Sequence, residues 1–127
     1  MKRVIVAMQN TLVSEVVTQS LKKCDVLVEK ALNDTPDGII NICQVFFGDV
    51  LFMDVTRFGN GSFENRMKTM AMVKKNSPRI KVCLICDNAS DVELSFKIAN
   101  AKKLGLIDNF FYQSVPSDYI ADVISTM

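Results

Sequence analysis

The residue in this chain best placed to do chemistry is Asp54. It ends the apolar run Val50-Leu51-Phe52-Met53 and is followed by Thr56, Arg57 and the turn residues Gly59-Asn60-Gly61. A carboxylate therefore stands where a buried strand surfaces, although Asp at such a place also serves simply to accept backbone hydrogen bonds. The chain holds no histidine, which removes the commonest general acid/base and the commonest transition-metal ligand together. Cys83-Leu84-Ile85-Cys86 has the spacing of a redox or zinc pair, but in a strand its two sulfurs face opposite sides of the sheet. No second cysteine pair has zinc spacing, so Cys24, Cys43, Cys83 and Cys86 read as small reduced hydrophobes. Met67 and Met70, at helical spacing, read as core filling rather than as an adaptable binding surface.

The elements that must position Asp54 alternate along the chain. Val4 to Met8 is a first strand, and Asn10 or Thr11 caps a helix whose stripe is Leu12, Val13, Val16, Val17 and Leu21. Asp25 to Leu32 reads as a second strand. Thr35 with Pro36 behind it starts a second helix carrying Ile39, Ile40, Cys43 and Phe47 and stopping near Gly48. After the third strand, Ser62 caps a helix with Phe63, Met67, Met70 and Ala71 on one side, ended by Asn76-Ser77-Pro78. Ile80 to Cys86 is the fourth strand, and Ser90-Asp91-Val92-Glu93 matches the capping box of a helix that ends at Gly105. Phe110-Phe111-Tyr112 belongs to a fifth strand that sends aromatic rings to both faces. Pro116 opens a last helix with Tyr119, Ile120, Val123 and Ile124 on its buried side.

Five β-α units in 127 residues specify one α/β domain, a parallel sheet with helices on both faces. The flavodoxin-like order 2-1-3-4-5 suits such a chain and puts the switch point between strands one and three. A reaction centre would then lie near Met8, Gln9, Asp54, Cys86, Asp87 and Gln113. The 15 basic and 14 acidic side chains are interspersed, so no footprint for nucleic acid is present. No apolar run is long enough to cross a bilayer and no export signal opens the chain, so a cytosolic location with no membrane partner is expected.

In the order and length of its elements the whole chain resembles the receiver domain of two-component response regulators. Val50-Leu51-Phe52-Met53-Asp54-Val55-Thr56 is similar to the third strand and phosphoacceptor of that family, with Asp54 in the acceptor's place. The resemblance implies phosphoryl transfer to that carboxylate with a magnesium ion holding the oxygens. Family members supply an acidic pair for the metal just after strand one, where this chain has Met8 and Gln9. A thioether is a poor magnesium ligand and an amide lacks the charge, so magnesium binding is expected to be weak, with Asp87 and the Thr56 backbone as the remaining candidate ligands. The plainer reading of Asp87 is a polar loop residue. The family's hydroxyl residue at the end of strand four aligns with Cys86, its lysine near the end of strand five with Gln113, and its aromatic switch position with Phe110.

The resemblance therefore implies an atypical receiver-like signalling domain, not an enzyme, with weakened or lost phosphorylation at Asp54. It would act through protein contacts with a histidine kinase or an effector domain. Homodimerisation is a further option, and Phe96, Phe110 and Tyr119 on the surface of helix four, strand five and helix five are the candidate contacts. Two rivals remain: a receiver still phosphorylated at Asp54 that regulates a downstream, DNA-binding effector, and a flavodoxin-like small-molecule enzyme. Against the second, Met8-Gln9-Asn10-Thr11 lacks the glycine- and hydroxyl-rich loop that binds a flavin phosphate.

Overall fold

Short apolar runs separated by capped amphipathic helices give a sheet buried on both faces. A computed structural model describes residues 1–87 and 91–127. Its strands are β1 (Lys2–Ala7), β2 (Val26–Lys30), β3 (Val50–Val55), β4 (Lys81–Cys86) and β5 (Asn109–Tyr112). Its helices are α1 (Thr11–Lys22), α2 (Pro36–Val45), α3 (Phe63–Asn76), α4 (Val92–Lys103) and α5 (Ser117–Ser125). The strands form one parallel sheet in the order β2-β1-β3-β4-β5, as the β-α alternation predicts. Every residue of β3 is buried, because it lies at the centre with layers above and below.

Side-chain alternation sorts the core into two. Ile5, Leu51, Met53, Val82 and Leu84 pack beneath α2, α3 and α4, where Ile39, Val73 and Ile98 meet them. Val4, Val6, Phe52, Ile85 and Phe111 pack beneath α1 and α5, against Leu21, Ile120 and Ile124. Cys83 falls in the second cluster and Cys86 in the first, so the two thiols do lie on opposite faces.

Helix starts follow their local signals. Asn10 accepts from Leu12 N and Val13 N, Thr35 from Gly38 N with Pro36 behind it, and Ser62 from Asn65 N. Asp91 caps α4 by accepting from Leu94 N, while the Ser90 expected in that role lies outside the described residues. Gly105 takes a positive φ of 77° just past α4.

Several stripe assignments need correction. Tyr119 is exposed, because α5 turns Ile120, Ala121 and Ile124 to the sheet and its neighbour lies about 100° round the helix. Leu12 and Val16 are exposed on α1, where Val17 and Leu21 carry the burial. Phe47 lies beyond α2 and points to solvent, and Ala71 is exposed on α3, whose buried face is Arg66, Thr69, Met70 and Val73. β2 is also shorter than the expected Asp25 to Leu32, running from Val26 to Lys30, with Ala31 N still donating to Val6 O just beyond its end.

Phe52, two residues before Asp54, is fully buried and meets Phe111 edge-on at 6.0 Å between ring centroids. Phe52→Ala should lower the unfolding free energy by about 3–5 kcal/mol, measured by urea denaturation.

Candidate functional site

Asp54 stands at the C-terminal end of the central strand, beside the loop that leaves β1. By alternation its side chain follows Phe52 toward the α1 side of the sheet, and the loop at Gln9 and Asn10 closes over it. Gln9 N donates to Oδ1 at 2.9 Å and Asn10 N to Oδ2 at 2.8 Å. These amides sit at the start of α1, whose positive dipole end favours a negative charge. The carboxylate is only 1% exposed.

A second contact comes from a residue that periodicity alone did not single out. Arg66, in the second turn of α3, is completely buried and extends along Asp54. Its Nη2 donates to Asp54 Oδ1 at 2.8 Å and its Nε donates to the Asp54 carbonyl, also at 2.8 Å. The same guanidinium reaches the loop between β2 and α2, where Nη2 donates to Asp34 Oδ2 at 3.1 Å and Nη1 to the Asp34 carbonyl at 3.3 Å. Four segments distant in sequence thus meet on one buried ion pair. The overlooked signal was a lone charge on the buried face of α3, one turn before Met70 and two before Val73. Asp34 carried no signal beyond its place before the Thr35 cap.

Gln9 and Thr56 form the rim. Thr56 Oγ1 lies 2.9 Å from Gln9 Oε1 and 3.1 Å from the Phe58 carbonyl, with one proton to give. Thr56 N donates to Gly61 O at 2.7 Å. A Cβ on Gly61 would fall 2.2 Å from Thr56 Oγ1 and 2.5 Å from Gln9 Oε1, so the turn closes this tightly only because residue 61 is glycine.

The remaining predicted positions lie around this centre in other environments. Met8 packs, half-buried, against the α1–α5 core. Cys86 ends β4 with its side chain in the opposite core, and burial pushes its thiol up to about 11, with the charge of Asp87 adding to the effect. Asp87 is exposed in the loop that follows. Gln113 is exposed, and its N–H donates to the Cys86 carbonyl at 2.9 Å. Phe110 is half-buried, edge-on to Tyr112 at 5.6 Å with Lys102 Nζ 5.8 Å from its ring centroid. Phe96 and Tyr119 are both exposed.

Met8, Gln9 and Asp54 as placed do not fit magnesium. Met8 and Gln9 bring no carboxylate, and Asp54 is bonded to a guanidinium and two amides. Among the described residues no group of three or more His, Cys, Asp or Glu side chains is placed to hold a metal ion. Nor is the start of α1 an open phosphate cradle. The Gln9 and Asn10 amides serve Asp54, and the Leu12 and Val13 amides serve the Asn10 side chain.

No protein-family model and no curated protein matches the sequence. Solved structures do match. A response regulator receiver domain protein from Clostridium thermocellum superposes with a TM-score of 0.76 at 13% identity, over 99% of this chain and 93% of that one. A DNA-binding response regulator of the LuxR family from Staphylococcus aureus gives 0.75 at 12% identity, over 99% and 98%. The Vibrio cholerae chemotaxis protein CheY4 gives 0.74 at 14% identity, over 99% and 98%. The fold is thus that of response-regulator receiver domains.

Removing one partner of a buried pair leaves the other uncompensated. Arg66→Met should cost about 3–5 kcal/mol in urea denaturation, and adding Asp54→Leu should restore a measurable part of it, giving a coupled double-mutant cycle.

The thiols supply a pH test. Burial raises Cys43 and Cys83 to about 12 and Cys86 to about 11, from an ordinary 9.0. The unfolded chain therefore loses these protons first, so their contribution is intact below pH 9 and declines as the pH rises from there through about 11. Urea midpoints recorded across that range should fall, and a thiol reagent at pH 8 should leave these three cysteines unmodified in the folded protein.

Proposed function

We propose that the chain is an atypical receiver-like signalling domain that works through protein–protein contacts, with phosphorylation at Asp54 weakened or lost. The observation that carries this reading is the Asp54 carboxylate itself, 1% exposed, with both oxygens engaged and Arg66 against one of them. Attack on a phosphoryl group needs an exposed oxygen and countercharge on the group being transferred. Here the nearby cation is spent on the carboxylate's own ground state, and reaction would require breaking that pair. Gln113 and Cys86, in place of a lysine and a hydroxyl residue, offer neither a second cation nor a strong donor. On this reading the chain is not an enzyme, and its partners are a histidine kinase or an effector domain.

A receiver still phosphorylated at Asp54 is the alternative, favoured by that residue's position at the switch point between β1 and β3. One experiment separates the two. The protein is incubated with magnesium and acetyl phosphate, and in parallel with beryllofluoride, then followed by intact mass and amide NMR. The proposal expects unchanged mass and unshifted resonances for Gln9, Asn10 and β5. A mass gain of one phosphoryl group that disappears in Asp54→Asn, with shifts spreading to β5, would establish the alternative instead.

A further inference from the structure

β2 is an edge strand, and the surface beside it is unusually apolar. Leu27 is 49% exposed, Val45 60% and Phe46 39%, and Leu32 is fully exposed. A cavity of about 380 Å³ is lined by Leu32, Val45 and Phe46, and one of about 300 Å³ by Arg3, Leu27 and Phe46. Glu29 and Phe46 border both, so the two form one groove along the strand. Together the exposed fractions amount to roughly two and a half whole large side chains, on the order of 400 Å² of apolar surface. A standard interface takes roughly 800 Å² from each partner, about 65% of it apolar in homodimers. The patch supplies most of the apolar share of that area.

Backbone geometry selects the occupant and the register. Ala31 N donates to Val6 O, so the odd-numbered residues of β2 face β1 and the even-numbered ones, Val26, Val28 and Lys30, turn their amides and carbonyls outward. We propose that this edge joins a second copy of the chain, β2 against β2 in antiparallel pairing about a two-fold axis at Val28, with the groove beside α2 filled by the partner's apolar side chains.

A dyad at Val28 sets Val28 opposite the partner's Val28 and Val26 opposite the partner's Lys30, which uses all three outward-facing residues. It also opposes no like charges directly. A dyad at Leu27 would set Asp25 against the partner's Glu29, and a dyad at Glu29 would set that residue against itself. In the Val28 register the partner's Glu29 lies across Leu27, and Leu27 is itself paired with Arg3 on β1. Arg3 and the partner's Glu29 thus lie on the same face and flank Leu27 on its two sides, once on each side of the axis. The resulting interface is isologous and closed, and leaves neither β2 edge open.

The test is the mass of the full chain in solution across a concentration series, by light scattering and sedimentation. The wild type should dimerise reversibly. Leu27→Asp should weaken association on the order of a hundredfold or more while leaving the circular dichroism spectrum unchanged. Val45→Gln gives a second variant, at an exposed residue of α2 that lines the groove and carries no core packing. It should weaken the dimer without lowering the urea midpoint. In a Cys24→Ala background, Val28→Cys should form a covalent dimer on mild oxidation, since the paired Cα atoms would lie about 5.5 Å apart.

A chain that stays monomeric at every concentration, as it would if this edge served a segment of another protein, overturns the proposal. So does a dimer that survives Leu27→Asp and dissociates on substitution of Phe96 or Tyr119. Both results are independent of whether Asp54 accepts a phosphoryl group.

Discussion

The rest of the C-terminal end of the sheet is arranged around one buried guanidinium. Taking Arg66 out of water costs several kcal/mol unless its charge and its N–H groups are met, so the fold must bring carboxylates to it. Asp54 comes from the central strand and Asp34 from the loop before α2, and each also offers its backbone carbonyl. Two carboxylates against one cation leave an excess negative charge. The Gln9 and Asn10 amides at the head of α1 take up part of it. The β1–α1 loop, β3, the β2–α2 loop and α3 are cross-linked by this arrangement, which depends on each partner's being in place.

That closure explains the character of the surrounding positions. A crevice at this end of a doubly wound sheet ordinarily offers unpaired amides and charges to a ligand. Here the amides are consumed by Asp54 and Asn10, and the Thr56 hydroxyl lies between Gln9 and Phe58. Gly61 lets the turn after β3 press against that rim. The polar groups satisfy one another, and such a network rigidifies where an incomplete one would invite water or an ion.

Most of the fold was legible because its signals are local. Four or five apolar residues in a row make a buried strand, and Thr35-Pro36, Ser62 and Gly105 mark helix ends within a turn of themselves. Alternation was sufficient to separate Cys83 from Cys86. Helix faces were read less well, since a stripe can be rotated by one residue without changing its period, and Tyr119, Val16 and Ala71 all fell on the wrong side of that ambiguity. Asp54 was recognisable from the strand that delivers it. Its surroundings were not, because Arg66 is 12 residues from it, Asp34 is 32 residues from Arg66, and the three come together only once the sheet has formed. A charged residue on a buried helical face must find a counterion, and that rule would have pointed to Arg66 without naming what it binds.

With the centre closed, exposed apolar residues lie at the two edges of the sheet. The two ends of the sheet differ in kind. Beside β5, the exposed Phe96 and Leu104 are interspersed with Lys97, Lys102 and Lys103, and Lys102 sits over the Phe110 ring, so charges break up the apolar area. Beside β2, Val45 and Phe46 follow one another without interruption, and Arg3 donates to the Phe46 carbonyl and so holds that corner against the strand. Edge strands in stable proteins are ordinarily protected by charge, proline or bulges. β2 is left with Glu29 and Lys30, and Lys30 is drawn aside to Glu15 on α1. The apolar flank at Val45 and Phe46 thus lies beside the charges that β2 itself carries, and the burial of Arg66 at the centre does nothing to cover it.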